Sequence, residues 1–290
     1  MQKISTGTHP PDFSMKHILL RSSEFLQNKG IDNARYDAEQ IISHILNIPR
    51  MDIYLQFDRE LLATEADSIR TAIQQRGKRK PLQYILGFVD FYGCKIAVNE
   101  NVLIPRSETE FMVDLIIKDM PSQAEHILDI CTGSGAIAIA LQKARPLITV
   151  AACDIYEKAL QVAKANAEKN SVKIDLILSN LFQNIGQQKF DLIVSNPPYV
   201  SQDEYKSLQP EIYFEPEKAL VAEAEGLFCI NKIITEAKDW LKPDGYLYLE
   251  IGEKQAESIK KIVNKLPVAE FIVYKDLSDR DRIIRIKFNG

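Results

Sequence analysis

Two short stretches and one further carboxylate combine residue types that can do chemistry. The first stretch, Asn196-Pro197-Pro198-Tyr199, follows the apolar run Phe190 to Val194. Its prolines have no N–H and fix φ, so the run must end in a stiff elbow that neither a helix nor a central strand can continue. The elbow offers the Asn196 amide, a Pro197 carbonyl with no helix or ladder to satisfy it, and the aromatic plane of Tyr199. Carbonyl oxygens that accept from an NH2, beside a ring that stacks, suit a flat, amine-bearing group. The plain alternative is an Asn-Pro turn with no ligand.

The second stretch, Asp129-Ile130-Cys131-Thr132-Gly133-Ser134-Gly135, lies between an apolar strand run and a helical pattern. Gly133 and Gly135 permit a tight turn and let a ligand approach the backbone. Such a turn is common and weak alone. Asp154, at the end of the next apolar run, strengthens it, because a carboxylate there can hydrogen-bond ribose hydroxyls. Asp154 also suits the cap of a helix opening at Ile155 and Tyr156, and the two roles are compatible. The three-glycine dinucleotide fingerprint is missing, and Asp129 at the strand end would repel a pyrophosphate. A ligand with ribose hydroxyls, a free amino group and a sulfonium, but no phosphate, matches this charge pattern. S-adenosylmethionine is such a ligand.

Composition limits the classes. The chain has 290 residues, 46% of them hydrophobic, enough for two cores. A net charge of -4 argues against an electrostatic nucleic-acid binder. The opening Met1-Gln2-Lys3-Ile4-Ser5 lacks the apolar run of a signal peptide, and no apolar run reaches membrane length, so a cytoplasmic protein without membrane contact is expected. Cys94, Cys131, Cys153 and Cys229 are scattered without metal-ligand spacing and read as reduced thiols; no metal is expected. Glu108 and Glu110, two apart, face different sides of a helix and read as helix-start charges rather than a working pair.

The elements that must position these residues fall into three parts. Residues 1 to about 12 read as a loose tail. Helical periods follow, one capped by Ser14 and stopped by Gly30, one after Asn33 ended by Pro49, and one from Thr64 through Ile73, so residues 1–80 form a small helical domain. It closes in Arg76-Gly77-Lys78-Arg79-Lys80, read as a solvated helix end or as a contact for an acidic or RNA-associated partner. Pro81 marks a boundary. Gln83 to Phe91 and Lys95 to Ile104 read as β-rich, so 81–105 is a hairpin linker. Ser107 and Glu110 form the pattern of a capping box. From 106 to 290 strands and helices alternate, which means a mostly parallel sheet with helices on both faces. The last two strands, near Phe271 to Tyr274 and Arg282 to Phe288, are close in sequence and imply one antiparallel strand. Glu215-Pro216, in the loop after the elbow, helps wall the pocket without an assigned role.

Asp129-x-Cys131-x-Gly133-x-Gly135, Asp154 and Asn196-Pro197-Pro198-Tyr199 resemble the class I S-adenosylmethionine-dependent methyltransferases that act on exocyclic or amide nitrogens. Ile104-Pro105-Arg106-Ser107-Glu108-Thr109-Glu110, Gln83-Tyr84-Ile85-Leu86-Gly87 and the helical N-terminal part resemble, more narrowly, the release factor glutamine methyltransferase family, PrmC/HemK. The likeness covers nearly the whole chain. It implies a Rossmann-like seven-stranded methyltransferase domain behind a substrate-docking helical bundle. It implies that Asp129 and Cys131, Thr132, Gly133, Ser134 and Gly135 cradle the cofactor, with Asp154 on the ribose and Asn180 and Leu181 against the adenine. Asn196, Pro197, Pro198 and Tyr199 would hold the substrate glutamine. Its partners would be the peptide chain release factors, met by a monomer without direct contact to nucleic acid. Cys131 stands where the family usually has Gly, Asn180 where an acidic residue is usual, and Ser107 where Pro is usual. The rival readings are a methyltransferase of adenine or guanine amines in nucleic acid, and a cofactor-binding adaptor without catalysis.

Overall fold

The computed structural model describes residues 13–289; the tail expected over 1–12 lies outside the described residues. The chain divides into two compact units, Met1–Leu86 and Gly87–Gly290.

The first unit contains α1 (Met15–Asn28), α2 (Ala34–Leu46), α3 (Asp52–Leu55), α4 (Ala63–Gly77) and α5 (Leu82–Leu86). Ser14 caps α1, its hydroxyl accepting from the His17 N–H at 3.4 Å. Met15, Leu19 and Leu26 on α1 meet Ile41 and Ile42 on α2 and Ile69 and Ile73 on α4 in one buried cluster. Helix α2 stops at Asn47 with φ 50°, before Pro49, because Asn tolerates the left-handed conformation that ends a helix. The basic run is not a free solvated end. The buried Arg76 Nε donates to Asp37 Oδ2 at 2.7 Å, and Arg79 Nη1 donates to the Gly30 carbonyl at 2.6 Å. Two of its cations thus lock the end of α4 onto the rest of the bundle. Residues 82–86 are helical rather than extended, since Leu82, Ile85 and Leu86 repeat at helical spacing and all three pack on the helical core.

The second unit opens with a hairpin, β1 (Phe88–Phe91) and β2 (Cys94–Ala97), turned by Tyr92 and Gly93 at positive φ. Then come α6 (Ser107–Asp119), β3 (His126–Ile130), α7 (Ala136–Ala144), β4 (Thr149–Asp154), α8 (Glu157–Lys169), β5 (Asp175–Leu178), β6 (Phe190–Ser195) and α9 (Gln202–Tyr205). Two 3-10 turns follow, then α10 (Phe228–Ala237), β7 (Leu241–Glu250), α11 (Ala256–Val263), β8 (Val268–Lys275) and β9 (Asp281–Phe288). The capping box expected at α6 does not form. The helix begins at Ser107 itself, and Glu110 Oε1 instead accepts from the Tyr92 N–H at 2.5 Å, which ties the hairpin turn to α6.

The seven strands lie in the order β5-β4-β3-β6-β7-β9-β8. All neighbours are parallel except at β9, which runs antiparallel to β7 and to β8. The chain leaves β3 toward β4 and β5, then returns to β6 on the other side, so the order reverses at β3. Ligands of open α/β sheets sit at such a reversal, beyond the carboxyl ends of the strands. Ile127, Leu128, Ile130, Leu192, Ile193 and Val194 are buried, so both central strands are covered on both faces. Among the described residues no helix is long and apolar enough to cross a membrane, and no His, Cys, Asp or Glu cluster could hold a metal.

Candidate active site

A cavity of about 480 Å³ opens where the carboxyl ends of β3, β4, β5 and β6 converge. Cys131, Thr132, Gly133 and Ser134 line it from β3, Asp154 from β4, Asn180 and Leu181 from β5, and Asn196 and Pro198 from β6. Nine of the residues singled out in the sequence therefore share one cavity. Asp129, Gly135, Pro197 and Tyr199 are not among its lining residues.

The glycine turn is held locally. Cys131, Gly133 and Gly135 have φ of 60°, 55° and 80°. A Cβ at Gly133 would meet nothing within 4 Å, so that glycine leaves open space on the cavity side. A Cβ at Gly135 would come within 3.1 Å of Ala163 Cβ, so that glycine lets α7 and α8 pack closely and does not face the cavity. Asp154 splits its carboxylate. One oxygen accepts from the Gly133 N–H and the other from the Tyr156 N–H, both at 2.9 Å. It thus fixes the turn and the entry to α8 together, and its remaining lone pairs stay available to a ligand. Burial raises its pKa, opposed by those backbone donors. Asp129 lies fully buried beneath the turn, where Thr132 Oγ1 donates to its Oδ2 at 2.6 Å and its Oδ1 has no partner among the described residues. Burial pushes the Asp129 carboxyl up to about 7 against the Thr132 hydrogen bond, and drives the Cys131 thiol well above its ordinary value.

The elbow is held from a distance. Asn196 Nδ2 donates to Thr109 Oγ1 at 3.1 Å, and Thr109 Oγ1 donates to Glu250 Oε2 at 2.6 Å. The Tyr199 hydroxyl donates to Glu250 Oε1 at 3.0 Å. The Tyr199 ring packs on the hydrophobic core, so the stacking plane expected from sequence is turned into the protein. Its carbonyl accepts from Gln255 Nε2 at 2.9 Å, and a Cβ at Gly226 would sit only 2.0 Å from that oxygen. Val200 exchanges backbone bonds with the 220–222 segment. Glu215 accepts from the Ile104 N–H at 2.9 Å and pairs with Arg106, strapping the loop after the elbow to the segment that enters α6. No described residue donates to Asn196 Oδ1 or to the Pro197 carbonyl. The elbow therefore keeps two open acceptors.

Gln255 and Glu250 go unread in the sequence, and Thr109 and Glu215 carry no assigned role there. Glu250 had a signal: it closes the run Tyr246-Leu247-Tyr248-Leu249, and a carboxylate in a buried strand demands partners. The lining fits a phosphate-free nucleoside. Gly133 leaves room for it, Asp154 and Glu223 supply negative charge, and among the described lining residues Lys218 is the one cation, its ammonium 5.5 Å over the Tyr156 ring.

The family model for the methyltransferase small domain matches residues 106–223, and that for the PrmC N-terminal domain matches 17–87. The chain is 36% identical to the release factor glutamine methyltransferase of Geobacter sulfurreducens over 95% of this chain and 97% of that one. It is 40% identical to the protein of that name from Fusobacterium nucleatum, over 93% of this chain and 78% of that one. The crystal structure of a methyltransferase from Pyrococcus furiosus shares the fold, with a TM-score of 0.52 at 21% identity, over 68% of this chain and 90% of that one.

Proposed function

The chain belongs to the release factor glutamine methyltransferase family, and from that membership we propose that it moves a methyl group from S-adenosylmethionine to the side-chain amide nitrogen of the glutamine in the Gly-Gly-Gln loop of bacterial class 1 release factors. The observation that carries the reading is the pair of open acceptors, Asn196 Oδ1 and the Pro197 carbonyl, beside a cavity with a ribose-competent carboxylate. An amide NH2 has two hydrogens to give, and the elbow has two acceptors to receive them.

An amide nitrogen is a poor nucleophile because its lone pair is delocalised into the carbonyl. When bound, the cofactor supplies a methyl carbon already activated for in-line displacement by its sulfonium. Asn196 and Pro197 hold both N–H bonds in a fixed plane and favour the electronic form with the lone pair on nitrogen. The nitrogen sheds a proton after it is methylated, so no strong base is required at the elbow. Asp154 would receive the ribose hydroxyls, residues 131–134 would cradle the cofactor, Asn180 would accept from the adenine amine and Leu181 would pack on the ring. Pro198 walls the site, and Tyr199 supports the elbow from beneath.

Selectivity among the many glutamines of a cell has to come from surface contacts remote from the reacting nitrogen. The helical unit, which carries none of this chemistry, is assigned that docking role, and the enzyme works as a cytoplasmic monomer. Incubation with radiolabelled S-adenosylmethionine and either full-length release factor, DNA or ribosomal RNA tests the reading. Label enters the release factor alone if it holds; label in nucleic acid, or in nothing, contradicts it.

A further inference from the structure

Asn196 can serve as an acceptor only if its side-chain oxygen, not its NH2, faces the substrate. The two ends of an amide have nearly the same shape, so packing alone does not choose between them. Its one side-chain partner among the described residues, the Thr109 hydroxyl, does not choose either, because a hydroxyl both donates and accepts. It could take a proton from Nδ2 or give one to Oδ1.

The choice is made one residue further back. Thr109 Oγ1 lies 2.6 Å from Glu250 Oε2, and both residues are buried, with 3% and 1% of their surfaces exposed. An ionised carboxylate only accepts. The single Thr109 proton is therefore committed to Glu250, and the hydroxyl has only lone pairs left for Asn196. The amide must then present Nδ2 to Thr109 and turn Oδ1 away. We infer that Glu250 and Thr109 are positioning residues that fix Asn196 as a hydrogen-bond acceptor, through a one-proton relay from the end of β7 across α6 to the elbow. The inference rests on the reading of Asn196 as the holder of an amide.

The surroundings keep Glu250 an acceptor. Tyr199 donates to its second oxygen, and burial together with that carboxylate pushes the Tyr199 hydroxyl far up, so it keeps its proton. Arg282 of β9 faces Glu250 with its positive charge and is held there by Asp276 and by the Ile251 carbonyl. Burial raises the Glu250 pKa on balance, opposed by the hydrogen bonds from Thr109 and Tyr199 and by the Arg282 charge; Glu108 of α6 is the like charge that adds to the rise. Glu250 therefore reaches both ends of the elbow, Asn196 through Thr109 and Tyr199 directly. A glutamine in its place has an NH2 that can donate to Thr109. The relay then reverses: Thr109 donates to Asn196 Oδ1, and Asn196 offers a donor to a substrate that has only donors to give.

The full-length wild type, E250Q, T109V and T109S are compared by methylation kinetics on release factor and by calorimetry with S-adenosylhomocysteine. The nuclear Overhauser contact between the Asn196 side-chain NH2 and the Thr109 methyl gives a readout independent of activity. E250Q and T109V should lose about 10²-fold in kcat, the scale for one preorganised polar contact, while KM for release factor and affinity for S-adenosylhomocysteine stay within about threefold. T109S keeps the hydroxyl and should return kcat to within about threefold of wild type. In E250Q the Overhauser contact should weaken as the amide turns over. A kcat for E250Q or T109V near wild type, no rescue by T109S, or an undiminished contact in E250Q overturns the relay. A wild type inactive on release factor overturns the assigned substrate instead, and the Overhauser comparison still decides the relay.

Discussion

The glycine turn after β3 and the proline elbow after β6 sit at the ends of adjacent strands and border one cavity, yet they are built in opposite ways. The turn is fixed by neighbours in sequence and by the next strand: positive φ at Cys131, Gly133 and Gly135, the Thr132–Asp129 bond, and Asp154 on the Gly133 N–H. The elbow is fixed by residues far along the chain: Thr109 on α6, Glu250 at the end of β7, and Gly226 and Gln255 around the Tyr199 carbonyl. A site that binds backbone-first can be made locally. A site that must aim one side-chain amide needs buttresses from several elements.

The comparison can be broken most sharply at Gly226. Its φ is 82° and a Cβ there would overlap the Tyr199 carbonyl, so Gly226→Ala should cost about 3 kcal/mol or more and disable methyl transfer. Gly133→Ala also meets positive φ but open space, and should cost only about 1 kcal/mol. Denaturant titration of the two variants measures the contrast; equal losses would mean the elbow is no more tightly buttressed than the turn.

Asp129 sharpens the turn side through pH. Its folded pKa, raised from 3.8 to about 7, means the folded protein keeps a proton that the unfolded chain releases near pH 4. Stability from this group is thus full below about pH 4 and is lost as pH rises to about 7. Asp129→Asn should therefore melt higher than wild type at pH 8, with a net gain of about 2 kcal/mol after loss of the Thr132–carboxylate bond, and show no gain at pH 4. Melts of both proteins from pH 4 to 8 check the slope, and a gain that does not grow with pH refutes it.

Asp154 joins ligand and fold. Asp154→Ala should weaken S-adenosylhomocysteine by about 1–3 kcal/mol and also lower the melting temperature without ligand, because it frees the Gly133 and Tyr156 N–H groups. Calorimetry and melting together test this; unchanged affinity with a lowered melt would leave it a structural carboxylate alone. The smallest effect is expected at Cys131, whose φ of 60° strains a non-glycine residue. Cys131→Gly should be neutral or stabilise by up to about 1 kcal/mol. A clear fall in its melting temperature would show that the thiol's packing against the core outweighs the backbone strain.

What was legible in sequence follows the same division. The turn, Asp154, the elbow and the alternation of strands and helices are local patterns, and the structure brings nine of the expected residues to one cavity. Tyr199 was read as a stacking plane because nothing in Asn-Pro-Pro-Tyr says which way the ring turns; a buried acceptor far down the chain decides it. Ser107 and Glu110 matched a capping pattern, but a hairpin N–H outside the helix claimed the carboxylate. Arg76 looked like part of a charge run, while Asp37, half a bundle away in sequence, made it a buried ion pair. In these three cases a long-range polar partner overrides a local motif; residues 82–86, expected extended, are helical because Leu82, Ile85 and Leu86 pack on the helical core.

The central claim is that the elbow presents two acceptors to a glutamine amide. Tandem mass spectrometry of release factor after reaction with intact enzyme and with Asn196→Ala tests it most directly. One methyl on the side-chain nitrogen of the Gly-Gly-Gln glutamine is expected with wild type, formed about 10²-fold more slowly by an Asn196→Ala protein that melts normally. A methyl on any other atom, or an Asn196→Ala enzyme as fast as wild type, would contradict the account.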